Sequence, residues 1–196
     1  MLNMMKKNKI TNRDVVLRIA TSLFLTQGYH ATSMDEIVAV SNVSKTNIYY
    51  YFKSKEELLS AILDQLIQTY NEMIYEVVSR KDQSVQERFE ILLQLLTEQE
   101  TDYLGGCPFI TLYTQMPQDS ALFRNKISQF FQSQITTVEI LLNEGRERLE
   151  IQAELPARST AQFIVSAIEG ALFLQHASQD PSILENLKFT LALLLK

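Results

Sequence analysis

An all-α fold of about nine helices is predicted by three observations. The 196 residues contain only five Gly and four Pro, too few to punctuate many strands and turns. Apolar residues recur at i, i+3 and i+4 along most of the chain, the spacing of one buried helix face. Nowhere does a period-two alternation persist, and no internal repeat is found.

Taken in order, the first helix is expected from Asn12, where Val15, Val16, Ile19, Ala20, Leu23 and Phe24 share a face. Gly28 ends it in the left-handed conformation. In "SMDEIVAV", Ser33 and Glu36 form an S-x-x-E capping box, and Ile37 and Val38 begin the apolar stripe of a second, short helix. Asn42 can adopt the left-handed conformation that turns the chain. Ser44 caps a third short helix running through Tyr50. Ser54, with Glu56 and Glu57 in the following turn, opens a long fourth helix towards Ser79. Beyond lie "SVQERFEILLQLLTEQETDYL", "GGCPFITLYTQM", a long segment from Asp119 to about Glu147, "ARSTAQFIVSAIEGALFLQHAS" and "SILENLKFTLALLLK". A head of roughly 50 residues thus leads into a larger helical body.

Composition narrows the function. A single cysteine, Cys107, excludes an intramolecular disulfide and a cysteine-based zinc site, and suits a reducing cytoplasm. The start "MLNMMKKNKI" has no apolar run of a signal peptide, and no stretch approaches the ~20 apolar residues of a membrane span. Two histidines, one cysteine and no phosphate-binding glycine loop leave no catalytic set, so an enzyme is not expected, nor a metal or cofactor. The net charge of −5 is uneven: residues 1–60 hold eight basic and five acidic side chains (+3), and the rest ten and eighteen (−8). A basic head on an acidic body points to a polyanion bound at one end.

The stretch "SNVSKTNIYYYFKSKEEL" places four aromatics, Tyr49 to Phe52, in a row. At about 100° per residue they cannot all face one core. Two short helices joined at Ser41–Asn42–Val43, and braced by a preceding helix, make a helix-turn-helix whose second member enters the major groove. Ile48 and Phe52 then point inward with Val43. Tyr49 and Tyr50 flank an outward face with Lys45, Thr46 and Asn47.

Residues 12–60, with "LFLTQGYHATSMDEIVAVSNVSKTNIYYYFKSKEELL" at their centre, resemble the TetR family of bacterial transcription regulators in order and spacing. Past residue 60 the likeness is one of architecture. Asn42 stands where that family usually has Gly, Val38 where it prefers Ala, and Thr46–Asn47 where Gly-Thr or Gly-Ser is common. The last departure alters base contacts, so no relative's operator sequence carries over. The resemblance implies a three-helix DNA-binding domain (1–53), joined by a long helix to a helical ligand-binding and dimerisation domain (54–196). It also implies a homodimeric, cytoplasmic repressor released from a palindromic double-stranded operator by a small inducer.

Within that frame Lys45, Thr46 and Asn47 are the expected base readers, since Asn can pair with adenine bidentately and Lys can reach guanine. Thr32, Ser33, Tyr49, Tyr50, Lys53 and Lys55 are the expected phosphate and sugar clamps, and Ser44 joins this DNA-facing set. His30 is read as a surface residue. The inducer pocket is placed among Tyr103, Cys107, Phe109, Tyr113, Met116, Phe130, Gln134, Glu169 and His176, the last being alternatively an interface histidine. In "GGCPF", Pro108 suits the first helical position and makes Cys107 the N-cap, where helix amides would stabilise a thiolate. A Gly-Cys at this place also resembles one branch of the family with members that sense electrophiles or oxidants. The alternatives are therefore a Cys107 sensor, or a small residue buried for fit. The apolar excess of the last two helices, with Phe163, Ala167, Ala171, Leu174, Leu191 and Leu194 as contacts, predicts a four-helix dimer interface. The rival from another class is a protein-interaction module that binds no DNA.

Overall fold

Thr11 opens the first helix by a reciprocal cap: its Oγ1 accepts from Asp14 N at 3.2 Å, and its N–H donates to Asp14 Oδ2 at 2.9 Å. This computed structural model describes residues 10–97, 105–116, 120–151 and 155–195, and the described residues form nine helices and no strand. They are α1 (Asn12–Thr26), α2 (Met34–Ser41), α3 (Lys45–Tyr51), α4 (Lys55–Val78), α5 (Val85–Thr97), α6 (Pro108–Gln115), α7 (Ala121–Glu147), α8 (Ala157–Ser178) and α9 (Ser182–Leu194).

The local signals fold as their chemistry demands. Ser33, Ser44 and Ser54 each accept a backbone N–H three residues on, and Glu36 returns the bond to Ser33 N. Asn42 lies at φ 54 and closes α2 in the left-handed region. Gly28 lies at φ +104, and a Cβ there would also meet the Gln115 carboxamide at 2.5 Å. The positive φ favours glycine, and a side chain there would also push the Gln115 carboxamide aside.

Two apolar clusters form the core. The first joins Val16, Phe24, Ile37, Ile48 and Phe52 of the head to Leu58, Leu59, Ile62 and Leu63 of α4. It continues through Cys107, Phe109 and Leu112 to Phe123, Ile127 and Phe130 of α7. The second packs Ile74 and Val77 at the far end of α4 against Phe89 of α5, Leu141 of α7, Ile164 of α8 and Leu191 of α9. At 1.5 Å per residue, the 24 residues of α4 reach about 36 Å, far enough to enter both clusters.

A buried polar knot locks the end of the body away from the head. The Arg88 guanidinium, 0% exposed, pairs with Glu144 Oε1 at 2.5 Å and donates to Val78 O at 2.9 Å. Lys81 and Arg148 converge on the same carboxylate at 2.5 and 3.1 Å. Among the described residues no helix is long and apolar enough to cross a membrane.

Candidate nucleic-acid interface and effector cavity

The row of aromatics divides as helical geometry requires. Ile48 and Phe52 are 0% and 2% exposed, whereas Tyr50 is 73% exposed and meets Tyr51 edge-on at 5.2 Å. Lys45 and Thr46 are exposed and Asn47 and Tyr49 half-buried, so the first two turns of α3 present them on one outward face. Ser33 and Ser44 stand beside it with their oxygens spent as caps, yet a capping hydroxyl keeps its own proton to donate. Lys45 pairs with Asp35 at 2.7 Å across the two helices, an exposed contact that a phosphate or base can replace. Lys53 folds back onto the carbonyls of Tyr49 and Tyr50, at 2.8 and 3.2 Å, and satisfies the last acceptors of α3.

Two of the expected clamps face inward instead. Lys55 donates to Tyr29 O at 2.8 Å and Thr32 O at 2.9 Å, with its ammonium 4.2 Å from the centre of the Tyr29 ring. Burial lowers its pKa. It staples the loop between α1 and α2 to the start of α4, with two of its three donors spent on carbonyls. Thr32 is 1% exposed, and its hydroxyl donates to Gly28 O at 2.9 Å. Helical spacing could not reveal either role, because both are set by the loop of seven residues between α1 and α2.

That loop is also where head and body touch. Tyr29 N–H donates to Gln115 Oε1 at 2.7 Å, and its hydroxyl reaches Glu56 at 3.3 Å. Its phenol pKa is pushed up to about 12, first by burial and then by the Glu56 charge. Gln115 is the last residue of α6. Neither residue carries a motif, and the contact spans 86 positions.

The other end of α6 opens on a cavity of about 70 Å³ walled by α4, α5, α7 and α8. Cys107, Phe109, Phe130, Gln134 and Glu169 line it as expected from the sequence; Tyr70, Ile74, Phe89, Leu93, Thr137 and Ile168 are among the walls that sequence reasoning missed. Phe109 and Phe130 stack at 3.9 Å, and Tyr70 meets both edge-on at 5.2 and 6.2 Å. Three expected members lie elsewhere. Tyr113 is 50% exposed on the outer side of α6, and Met116 packs into the core shared with the head. His176 sits nearly two turns past Glu169, outside the lining, against Gly106. Tyr103 falls outside the described residues.

Cys107 is the N-cap of α6 but makes no side-chain cap bond, and Pro108 follows as foreseen. Burial first, and then the Glu169 carboxyl within hydrogen-bonding reach, push the thiol pKa far up, opposite to the shift expected of a helix N-cap thiol. The helix-end amides are outweighed because desolvation acts on the whole charge. Gly106, at φ +76, has no room for a side chain, which would run into the Leu172 carbonyl of α8. Gly106 is thus a close-packing point between α6 and α8.

On the remaining faces of α8 and α9, Phe163 and Leu174 are 56% and 54% exposed, with Ala167 and Leu194 half-buried. Ala171 and Leu191, expected on the same surface, are buried within the chain at 7% and 1%. Phe173, Phe189 and Leu193 lie exposed instead. The run Leu191 to Leu195 has no polar breaks, so its inward side could not be distinguished by pattern alone.

The family model for bacterial regulatory proteins of the tetR family matches residues 16–62, and that for the tetracyclin repressor-like C-terminal domain matches residues 85–190. A regulator in the lacX 3' region of Lactococcus lactis subsp. lactis is 25% identical over 181 residues, 91% of this chain and 90% of that one. The regulator QacR of Staphylococcus aureus is 29% identical over 133 residues, 68% and 70% of the two chains. The solved structure of a TetR regulatory protein from Rhodobacter sphaeroides superposes with a TM-score of 0.85 at 17% identity, covering 94% of this chain and 99% of that one. With a groove-shaped helix-turn-helix at one end and a matched C-terminal domain around the cavity, the chain belongs to the tetR family of helix-turn-helix transcriptional regulators.

Proposed function

We propose that the protein is a cytoplasmic repressor, which holds a near-palindromic operator as a homodimer and lets go when a small apolar or amphipathic inducer enters the cavity between α4, α5, α7 and α8. Residues 1–53 meet the DNA and residues 54–196 bind inducer and partner subunit. The observation that carries this reading is the span of α6. One end forms the cavity wall at Cys107 to Phe109, and the other holds the loop of the DNA-binding head through Gln115. The cavity is several times the ~10–15 Å³ one water needs, but a larger molecule must push its walls apart. Displacement of α4 or α6 then changes the separation of the two α3 helices in the dimer. A hundredfold loss of operator affinity corresponds to about 2.7 kcal/mol of coupling.

Footprinting across the upstream region of the protein's own gene tests the DNA half of the proposal. Two protected half-sites about one helical turn apart, or slightly more, are expected. Asn47→Ala should cost roughly 1–3 kcal/mol on the best site and relax preference at one base pair per half-site, whereas Lys53→Ala should weaken all duplexes alike and flatten the salt dependence. If both variants bind like wild type, α3 does not enter the groove.

The buried thiol sets a second expectation. Cys107→Ser should bind operator and respond to inducer as wild type does, and the wild-type complex should survive thiol oxidants in a mobility-shift assay. Oxidant-driven release that the Ser variant lacks would instead make Cys107 the sensor.

A further inference from the structure

Glu169 is out of place by every rule that shapes the rest of the cavity. It stands on α8 among Ile164, Ile168 and Leu172, and its Oε2 is buried with no hydrogen-bond partner. Burial raises its pKa, and among the described residues the hydrogen bond that reaches it comes from the Cys107 thiol, a weak donor. A buried acceptor without a donor is costly, and native proteins leave few of them. Among the described residues no Lys, Arg or His lines the cavity. An anionic ligand would find no counter-charge there and would face a carboxyl; a neutral hydrocarbon would leave Oε2 as it is. The same cavity is lined by aromatics, with the stacked Phe109 and Phe130 and the edge-on Tyr70. Aromatic faces attract cations, most strongly when water is excluded.

We propose that the cavity selects an organic cation, an alkyl- or arylammonium whose charge pairs with the Glu169 carboxylate while its substituents pack against Phe109, Phe130 and Tyr70. This rests on the proposed inducer cavity and names the chemical class that it takes. A bound cation supplies Oε2 with the positive neighbour it lacks and favours the ionised carboxylate.

Calorimetry on the full-length protein with three probes tests the assignment. Benzyltrimethylammonium is the cation, neopentylbenzene replaces its nitrogen by carbon at nearly equal shape, and phenylacetate is the anion. The cation should bind at least about tenfold more tightly than its carbon isostere, with phenylacetate weakest. Glu169→Gln should remove that preference while changing the affinity for neopentylbenzene less than about threefold, which also shows that the variant is folded. Equal binding of cation and isostere, or a preference that survives Glu169→Gln, overturns the charge assignment and leaves the inducer cavity standing if the isostere still releases operator. Failure of every probe to bind or to release operator removes both.

Discussion

Glutamate in place of Leu174 or Phe189 is expected to leave a folded monomer that has lost its operator. Both side chains already stand in solvent, at 54% and 67% exposed, so neither change digs into the core of the single chain. In the proposed dimer the same positions meet a second pair of α8 and α9 helices. A carboxylate buried there without a partner costs several kcal/mol, and the isologous geometry places it in the interface twice. A monomer reads one half-site and keeps half the phosphate contacts. Specific affinities of dimeric regulators are commonly 10⁻⁸ to 10⁻¹¹ M, so halving the contacts should lower operator affinity by about three orders of magnitude or more and roughly halve the salt slope. Light scattering should give the mass of one chain, with circular dichroism still helical. A dimer that persists in both variants would place the interface on another face.

The second large effect concerns stability. Arg88→Ala should destabilise the fold by about 3–5 kcal/mol, because it empties a buried volume, leaves the Val78 carbonyl without its donor and takes from Glu144 the most buried of its three cationic partners. The cluster depends on its charges as a set. Arg88→Met with Glu144→Leu, which replaces the pair by apolar groups, should recover most of that loss, and urea melts of the two singles and the double form a cycle that measures the coupling. Acid provides an independent check. Arg88 foremost, with Lys81, holds the Glu144 carboxyl at about 2 in the folded chain, below its usual range near 4.5. A carboxyl depressed on folding stabilises fully above its unfolded value, and that contribution is lost as pH falls through the window towards about 2. The gap between wild type and Glu144→Gln should therefore be widest near neutrality and nearly closed at pH ~2. A gap independent of pH would mean that the knot holds by packing alone.

Much of this molecule was legible before any coordinates, for reasons particular residues make plain. Ser33–Glu36, Asn42, Ser44 and Ser54 act within a few positions of themselves, so caps and turns follow from local chemistry. The split of Ile48 and Phe52 from Tyr49 and Tyr50 needs only the helical angle. What stayed hidden depends on distant contacts. Lys55 looks like a clamp until the Tyr29 and Thr32 carbonyls are found above it, and Cys107 looks activated until α8 closes over it. Tyr113 and Phe109 share one short helix and differ only in which side meets α7. For α8 and α9, apolar residues ring both helices, and only packing shows that Leu191 faces in and Phe189 out.

The first apolar cluster has a practical consequence for anyone who would recombine this protein. The proposed DNA-binding head ends near residue 53, but the interior does not divide there. Leu58, Leu59, Ile62 and Leu63 close the floor of the head, and Phe109, Leu112 and Met116 continue it without a seam. A chimera that grafts residues 1–53 onto a foreign body inherits the DNA-facing surface with half of its foundation missing. The transplantable unit is the head together with the first three turns of α4 and a matching α6, complete with a glutamine to meet Tyr29. New specificities are better sought by changing side chains on a continuous interior than by exchanging modules across it.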